Sequence, residues 1–280
     1  MNNVPSIWCV VPCFNRSANT LRFLSNFFQQ NYPNKYVVIV DDNCSDNTGF
    51  NVEINYPDAH VIYGEGDLWW SGGTNLAIKY ALENGADYIL TINDDSQFSD
   101  SLISTLYKIA KKNPKYIVGS VLVEEGRENI IWSVGSCHDF NEQRLMRLNL
   151  AGQDISALSA LKNPYPVEMM PGNGDLIPRK VFEDIGFYDE VNFPQYHADS
   201  EFMKRAAAAG YQPVIALESI VVNQILRSPL VNNVKDLLFF KKSDLYWPAM
   251  ASFFLRYYPE IPIETVFKKI YQPFISTEDL

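Results

Sequence analysis

The sequence predicts an α/β protein, a mixed sheet flanked by helices, with a small helical appendage at the C-terminal end. Short apolar runs alternate with amphipathic segments through the first half, the pattern of βαβ units. Two of these runs end directly in acidic turns, and the character of the chain changes after residue 223. Residues 1–223 are therefore expected to form the α/β unit and 224–280 the appendage. With 280 residues, 47% apolar and 14% aromatic, the chain has enough apolar surface to offset its conformational entropy.

Ile7 to Val11 reads as a buried strand, and Leu21, Leu24 and Phe28 recur at helical spacing before Pro33 stops the helix. Tyr36 to Val40 is the second strand and leads into the acidic turn DDNCSDNT. His60 to Tyr63 is a third. The loop GEGDLWWSGG precedes a helix from Thr74 to Asn84, with Gly85 in the position where a left-handed residue closes helices. Strand Tyr88 to Ile92 follows and runs into Asn93-Asp94-Asp95. After a helix from Leu102 to Lys111, strands are expected at Tyr116–Val123, Ile130–Val134 and Val167–Met170, separated by a polar stretch from Asn141 to Asn163. PGNGD turns the chain toward a short helix after Pro178, and a further helix spans Ser200 to Ala209. No repeat or low-complexity segment is visible.

The net charge of −10 argues against nucleic acid as a partner, because phosphate contacts need a basic face. No run of 18 apolar residues suggests a transmembrane helix, and the start lacks a basic, signal-like region, so a cytoplasmic location is expected. Cys9, Cys13, Cys44 and Cys137 form no CxxC pair, and three histidines make a zinc site a poor reading. Reduced, partly buried thiols are expected.

Ligands in open α/β sheets lie outside the carboxyl ends of strands, so the turns at Asp41-Asp42 and Asp94-Asp95 should share one crevice. Adjacent carboxylates repel, and a cation beside them relieves the repulsion. Mg²⁺ or Mn²⁺ is commonly held by one or two carboxylates plus substrate phosphates, which suits such a pair. The alternative is a solvated turn with Asp95 or Ser96 capping the next helix.

An ordered series of motifs resembles the inverting nucleotide-sugar glycosyltransferases of family 2, which have the GT-A fold. VVPCFNR is similar to the family's first strand and nucleotide-binding turn, IVDDNCSDNT to its base-holding acidic turn, and GGTNLA to its glycine-rich helix start. INDDS resembles its DxD-type metal motif. PGNGDLIPRKVFEDIGFYDE and YHADSEFMKRAAAAGY resemble its acceptor loop and catalytic-base helix. The resemblance spans about residues 7 to 222 and leaves the tail outside.

It implies that Pro12, Phe14, Asn15 and Arg16 border the nucleobase and that Asp41 or Asp42 binds base or ribose. Gly73 and Asn75 would belong to the donor site, Asp94 would lie near the ribose, and Asp95 would hold Mn²⁺ or Mg²⁺ at the diphosphate. Asp199 falls where the family places its general base, although it could instead cap a helix beginning at Ser200. The donor would be a UDP-, dTDP- or GDP-linked sugar and the acceptor a glycan hydroxyl, free or lipid-linked, in surface polysaccharide or lipopolysaccharide synthesis. The chain departs from the family pattern at Ala198, where an acidic residue is usual, leaving His197 a supporting role. It departs again at Cys13, where Thr is common, and at Asn223, where many members place a histidine; Asp95 then remains the one nameable protein ligand.

Trp69 and Trp70 stand between glycines and offer flat faces to a sugar or base, with Asp67 nearby as a hydroxyl partner. The resemblance puts Gly172, Asn173, Gly174 and Asp175 beside the donor sugar and acceptor. Arg205 either reaches a phosphate or is a surface arginine. The tail interleaves eight aromatics between Phe239 and Tyr258 with Lys241, Lys242 and Arg256. Such a segment suits packing on the α/β unit, a homodimer contact or an anionic membrane surface. Two rival functions remain at this stage. A sugar-nucleotidyltransferase would want a glycine- and lysine-rich phosphate loop, which the chain lacks. A non-catalytic glycan-binding module would have no use for Asp95 and Asp199 together.

Overall fold

The computed structural model describes residues 4–141, 145–224 and 234–271. Much of one sheet is formed by strands β1 (Ile7–Cys13), β2 (Lys35–Asp41), β3 (His60–Tyr63), β4 (Tyr88–Thr91), β5 (Gln97–Phe98) and β6 (Tyr116–Glu124). Further along the chain come β7 (Arg127–Ser133), the hairpin β8 (Ser136–His138) with β9 (Met146–Leu148), β10 (Tyr165–Pro166), β11 (Asp175–Pro178) and β12 (Gln212–Asn223). The sheet runs β10-β12-β6-β11-β4-β1-β2-β3, with β5 on β12 and β7 on β6. Strands β1 to β4 are mutually parallel, whereas β11 runs antiparallel between β4 and β6, so the sheet is mixed.

The helices are α1 (Ser17–Phe28), α2 (Thr48–Asn55), α3 (Trp69–Glu83), α4 (Leu102–Ala110), α5 (Arg179–Ile185), α6 (Ala198–Ala208), α7 (Val234–Phe239), α8 (Trp247–Tyr257) and α9 (Ile263–Tyr271). The central strands are apolar on both faces because helices cover both sides, the usual state of parallel strands. Ile7, Cys9 and Val11 of β1 face the cluster under α1 and α4, and Trp8 and Val10 face the cluster under α3. Helix α1 buries Thr20, Phe23, Leu24 and Phe27, an i, i+3, i+4, i+7 stripe. That stripe shares Leu24 with the expected one and is rotated so that Leu21 and Phe28 lie at its margins.

Several elements differ from the sequence expectation. Helix α3 begins at Trp69, so both tryptophans lie in its first turn and not in the loop. Val167–Met170 is no strand; pairing is confined to Tyr165–Pro166 and an isolated bridge from Met169 to Ser136. The polar stretch contains β9 and a 3₁₀ turn at Ile155–Ala160, while residues 142–144 lie outside the described residues. Helix α2 and the long strand β12 were not anticipated.

The appendage packs on the α/β part. Phe253 and Phe254 of α8 and Val266, Ile270 and Tyr271 of α9 are buried in one cluster with Phe193, Phe202 and Ile215. At roughly 25 cal/mol per Å² of apolar surface, such side chains are each worth about 1.5–3 kcal/mol on burial. Among the described residues no helix is long and apolar enough to cross a membrane. Residues 225–233 and 272–280 of the expected appendage, Arg227 included, lie outside the described residues.

Candidate active site

The carboxyl ends of the parallel strands open into a cavity of about 1280 Å³. Of the residues singled out from the sequence, Pro12, Phe14, Arg16, Asp42, Trp69, Trp70, Asp94, Asp95, Asn173, His197 and Asp199 line it. Asn15, Asp41, Asp67, Gly73, Asn75, Gly172, Gly174 and Asp175 are not on its wall.

The two acidic turns do meet one crevice, but their carboxylates have different partners. Asp41 accepts from the backbone N–H of Cys44 (2.6 Å) and of Gly49 (2.6 Å), so it folds its own turn and the start of α2. Asp42 accepts from Gly66 (2.7 Å) and Leu68 (3.0 Å) and holds the loop before α3. Asn15 accepts from Ser45 N (2.7 Å), tying the first turn to the second, and Asp67 is exposed.

The second acidic turn is held by Arg16. Its Nη1 donates to Asp94 Oδ1 (2.9 Å) and to Asp95 Oδ2 (2.8 Å), and Thr20 Oγ1 reaches Asp94 Oδ2 (3.3 Å). Burial raises the Asp94 pKa to about 6 even though the guanidinium opposes that shift. Thus the structure pairs Arg16, expected at the nucleobase, with both carboxylates of the turn.

Helix α3 is set by close backbone approach. A Cβ on Gly73 would stand 2.9 Å from the Pro12 side chain, so only glycine lets the helix lie this near β1. Asn75 clamps the Tyr188–Glu190 segment, donating to Tyr188 O (2.9 Å) and Glu190 (2.6 Å). Trp69 adopts φ 57°, a left-handed conformation uncommon outside glycine. Trp70 Nε1 donates to Asn93 Oδ1 (3.2 Å), and its ring lies edge-on to Tyr188.

On the opposite side stands Asp199. Helix α6 begins at Ala198, with His197 as its left-handed N-cap residue (φ 69°), so Asp199 is in the first turn and not ahead of it. Its Oδ1 accepts from Ser200 N (2.7 Å), and burial raises its pKa. Gly172 (φ 62°) packs between Trp70 and Asp199: a Cβ there would meet the Trp70 ring at 3.1 Å and Asp199 Cβ at 3.3 Å. Asp175 lies behind the wall, with Oδ2 accepting from Gly172 N (3.1 Å). Burial, and next the charge of Asp199, lift its pKa to about 8, so it is mostly uncharged at neutral pH. His197 Nε2 donates to the Asp244 carbonyl (2.9 Å) and thereby touches the appendage. Arg205 is neither a phosphate contact nor a free surface arginine, since it donates to Glu201, Ile185 O and Phe187 O.

Three buried polar atoms on the cavity's lining residues have no hydrogen-bond partner among the described residues: Asp95 Oδ1, Asn173 Nδ2 and Asn223 Oδ1. Unpaired buried polar groups are costly unless a ligand completes them. Antiparallel pairing of Val222 with Gln97 brings Asn223 beside the turn that follows Asp95. Two hard oxygens, one carboxylate and one carboxamide, therefore suit a divalent cation that takes its remaining ligands from phosphates and water. Among the described residues no cluster of three or more His, Cys, Asp or Glu side chains forms a metal cage. Sequence reasoning passed over Asn223 as a departure from pattern; its oxygen stands out as a candidate ligand only through the missing partner.

A sheet of this topology with a carboxylate-lined cavity at its strand ends defines a GT-A-type fold. The sequence profile described as "Glycosyl transferase family 2" matches residues 8–166, and the chain belongs to that family. It is 29% identical over 174 residues to the low-salt glycan biosynthesis hexosyltransferase Agl10 of Haloferax volcanii, covering 60% of this chain and 52% of that protein. It is 20% identical over 261 residues to the GalNAc(5)-diNAcBac-PP-undecaprenol beta-1,3-glucosyltransferase of Campylobacter jejuni, covering 90% and 84%. The fold matches the mannosyltransferase PcManGT of Pyrobaculum calidifontis, solved with GDP-Man and Mn²⁺, with a TM-score of 0.56, 17% identity and coverage of 81% and 59%. The chain thus spans little more than half the length of the Haloferax and Pyrobaculum proteins.

Proposed function

We propose that this chain is an inverting, metal-dependent glycosyltransferase that moves a hexosyl or deoxyhexosyl group from a nucleoside diphosphate sugar to a glycan hydroxyl. One observation carries the reading: Asp95, with a carboxylate oxygen that has no partner among the described residues, and Asp199, a half-buried carboxylate, line the same cavity. Asp95 and Asn223 would hold Mn²⁺ or Mg²⁺, which when bound neutralises negative charge gathering on the leaving diphosphate.

The chain's own groups have the following parts. Arg16 keeps Asp94 and Asp95 together without competing for Asp95 Oδ1. Pro12, Phe14 and Asp42 border the nucleoside, and Trp70 and Asn173 face the donor sugar. Asp199 takes the proton of the acceptor hydroxyl as that oxygen attacks the anomeric carbon, and its raised pKa makes it a better base. Attack opposite the departing diphosphate inverts the anomeric centre, with a sugar hydroxyl in the place that water holds in inverting hydrolysis. The acceptor belongs to surface glycan synthesis, and the Campylobacter relative's name favours a lipid-linked one. Such an acceptor would bring the protein to the membrane surface.

A thermal-shift panel of UDP-, dTDP- and GDP-sugars, with and without Mn²⁺, tests the reading. The cognate donor should raise the melting temperature in a Mn²⁺-dependent way, and a flat response across the panel would refute it.

A further inference from the structure

The cavity wall carries Asp42, Asp94, Asp95, Asp199 and Asp244, and among the described residues its permanent cations are Arg16 and Lys242. Arg16 is already bound by both Asp94 and Asp95. Lys242, on the loop between α7 and α8, rests its ammonium 5.7 Å from the centre of the Phe14 ring, and among the described residues no carboxylate pairs with it. Phe14 and Arg16 belong to the one short connection between β1 and α1, so this ammonium stands over the loop that also supplies Arg16.

The loop holding Lys242 is anchored on both sides. Ser243 is fully buried, and Leu245 N donates to its Oγ (3.1 Å). The Asp244 carbonyl accepts from His197 Nε2 (2.9 Å), and the Leu245 carbonyl accepts from Tyr271 OH (2.7 Å). The backbone is thus pinned to the helix that bears Asp199 and to α9, while the side chain of Lys242 is exposed.

A nucleoside diphosphate brings two or more negative charges into a space already rich in carboxylates. A single divalent cation at Asp95 leaves part of that charge uncompensated. We infer that the appendage completes the donor site, with Lys242 exchanging its contact on Phe14 for the diphosphate of the nucleoside diphosphate sugar. This rests on the donor reading proposed above. The exchange replaces a weak, exposed cation–π contact with a charge-assisted hydrogen bond. It also gives the appendage, which lies beyond the family match at 8–166, a direct part in binding the donor.

Calorimetric titration with UDP, dTDP and GDP, each against its parent nucleoside and with Mn²⁺ present, tests the inference. Lys242→Gln should weaken the cognate diphosphate about tenfold, with nucleoside affinity unchanged, and Lys242→Arg should recover most of the loss. Lys241→Gln, on the neighbouring lysine over Trp69, should leave diphosphate affinity as it was. Undiminished diphosphate binding by Lys242→Gln overturns the inference. So does an equal loss for nucleoside, which would put the lysine at the base, or an equal loss in Lys241→Gln, which would mean a general charge effect. If the wild type binds none of the three diphosphates, the donor reading falls and the lysine's part in it falls too.

Discussion

Glu201 of α6 is fully buried and accepts from Arg256 Nη1 of α8 at 2.8 Å, joining the appendage to the helix that carries Asp199 two residues earlier. Arg205 and Tyr257 donate to the same carboxylate, so one buried charge organises three partners. Arg256 also reaches Asp189 at 3.0 Å.

Removing the centre of that network should be more harmful than trimming its edge. Glu201→Ala should destabilise the fold by about 2–3 kcal/mol, below the range for fully buried pairs because both arginines can turn to water. Arg256→Ala leaves Arg205 and Tyr257 on Glu201 and should cost about 1 kcal/mol or less. Urea unfolding followed by fluorescence of the five tryptophans reads both values.

Asp199→Asn keeps the size of the side chain and abolishes its basicity. Sugar transfer should fall by about 10²–10⁴-fold while donor-induced thermal stabilisation persists, because proton removal from the acceptor is the step affected. Retained transfer would place the base elsewhere.

Asp175 should make stability depend on pH. Its folded pKa of about 8 lies above the ordinary carboxylate value, so the folded chain binds more protons than the unfolded one between about pH 4 and pH 8. Its contribution to stability is present below that window and is lost as pH rises through about 8. Asp175→Asn, which can still accept from Gly172 N, removes this slope. The variant's melting temperature should gain on the wild type more at pH 8.5 than at pH 5.

Gly172→Ala tests the packing of Trp70 and Asp199, the proposed base, on either side of Gly172. The left-handed backbone alone should cost about 1–2 kcal/mol, and the new methyl would push on both the indole and Asp199. Transfer should therefore drop further than stability alone explains, which a comparison of kcat at equal folded fraction would reveal.

Asp95→Asn should abolish the Mn²⁺-dependent part of donor stabilisation, and Asn223→Ala should weaken it. Titrating Mn²⁺ by electron paramagnetic resonance in the presence of nucleoside diphosphate checks both. An unchanged Mn²⁺ affinity in Asn223→Ala would leave Asp95 as the sole protein ligand.

Much of the sheet was legible because buried parallel strands are continuous apolar runs: IWCVV, YVVIV and YILTI announce themselves without tertiary context. Strand β12 did not, because a bulge between Ala216 and Ile220 splits its apolar run at Glu218-Ser219. Helix α2 was hidden for another reason. TGFNVEIN has few good helix formers, and the helix is started by side-chain acceptors in the preceding turn, Asp41 for Gly49 N and Asp46 for Thr48 N.

The sequence by itself determined the fold class, the family and the positions where carboxylates gather, since these follow from periodicity and from motifs read in order. Tertiary structure decided what each carboxylate does. Asp41 and Asp42 are committed to backbone N–H groups, Asp95 keeps a free oxygen, Asp175 is mostly uncharged at neutral pH beside Asp199, and Lys242 arrives from a segment outside the resemblance. Charge state and available lone pairs depend on burial and on partners from other elements, such as Arg16 of the first turn on Asp95 and Lys242 of the appendage on Phe14, and no local pattern encodes that proximity.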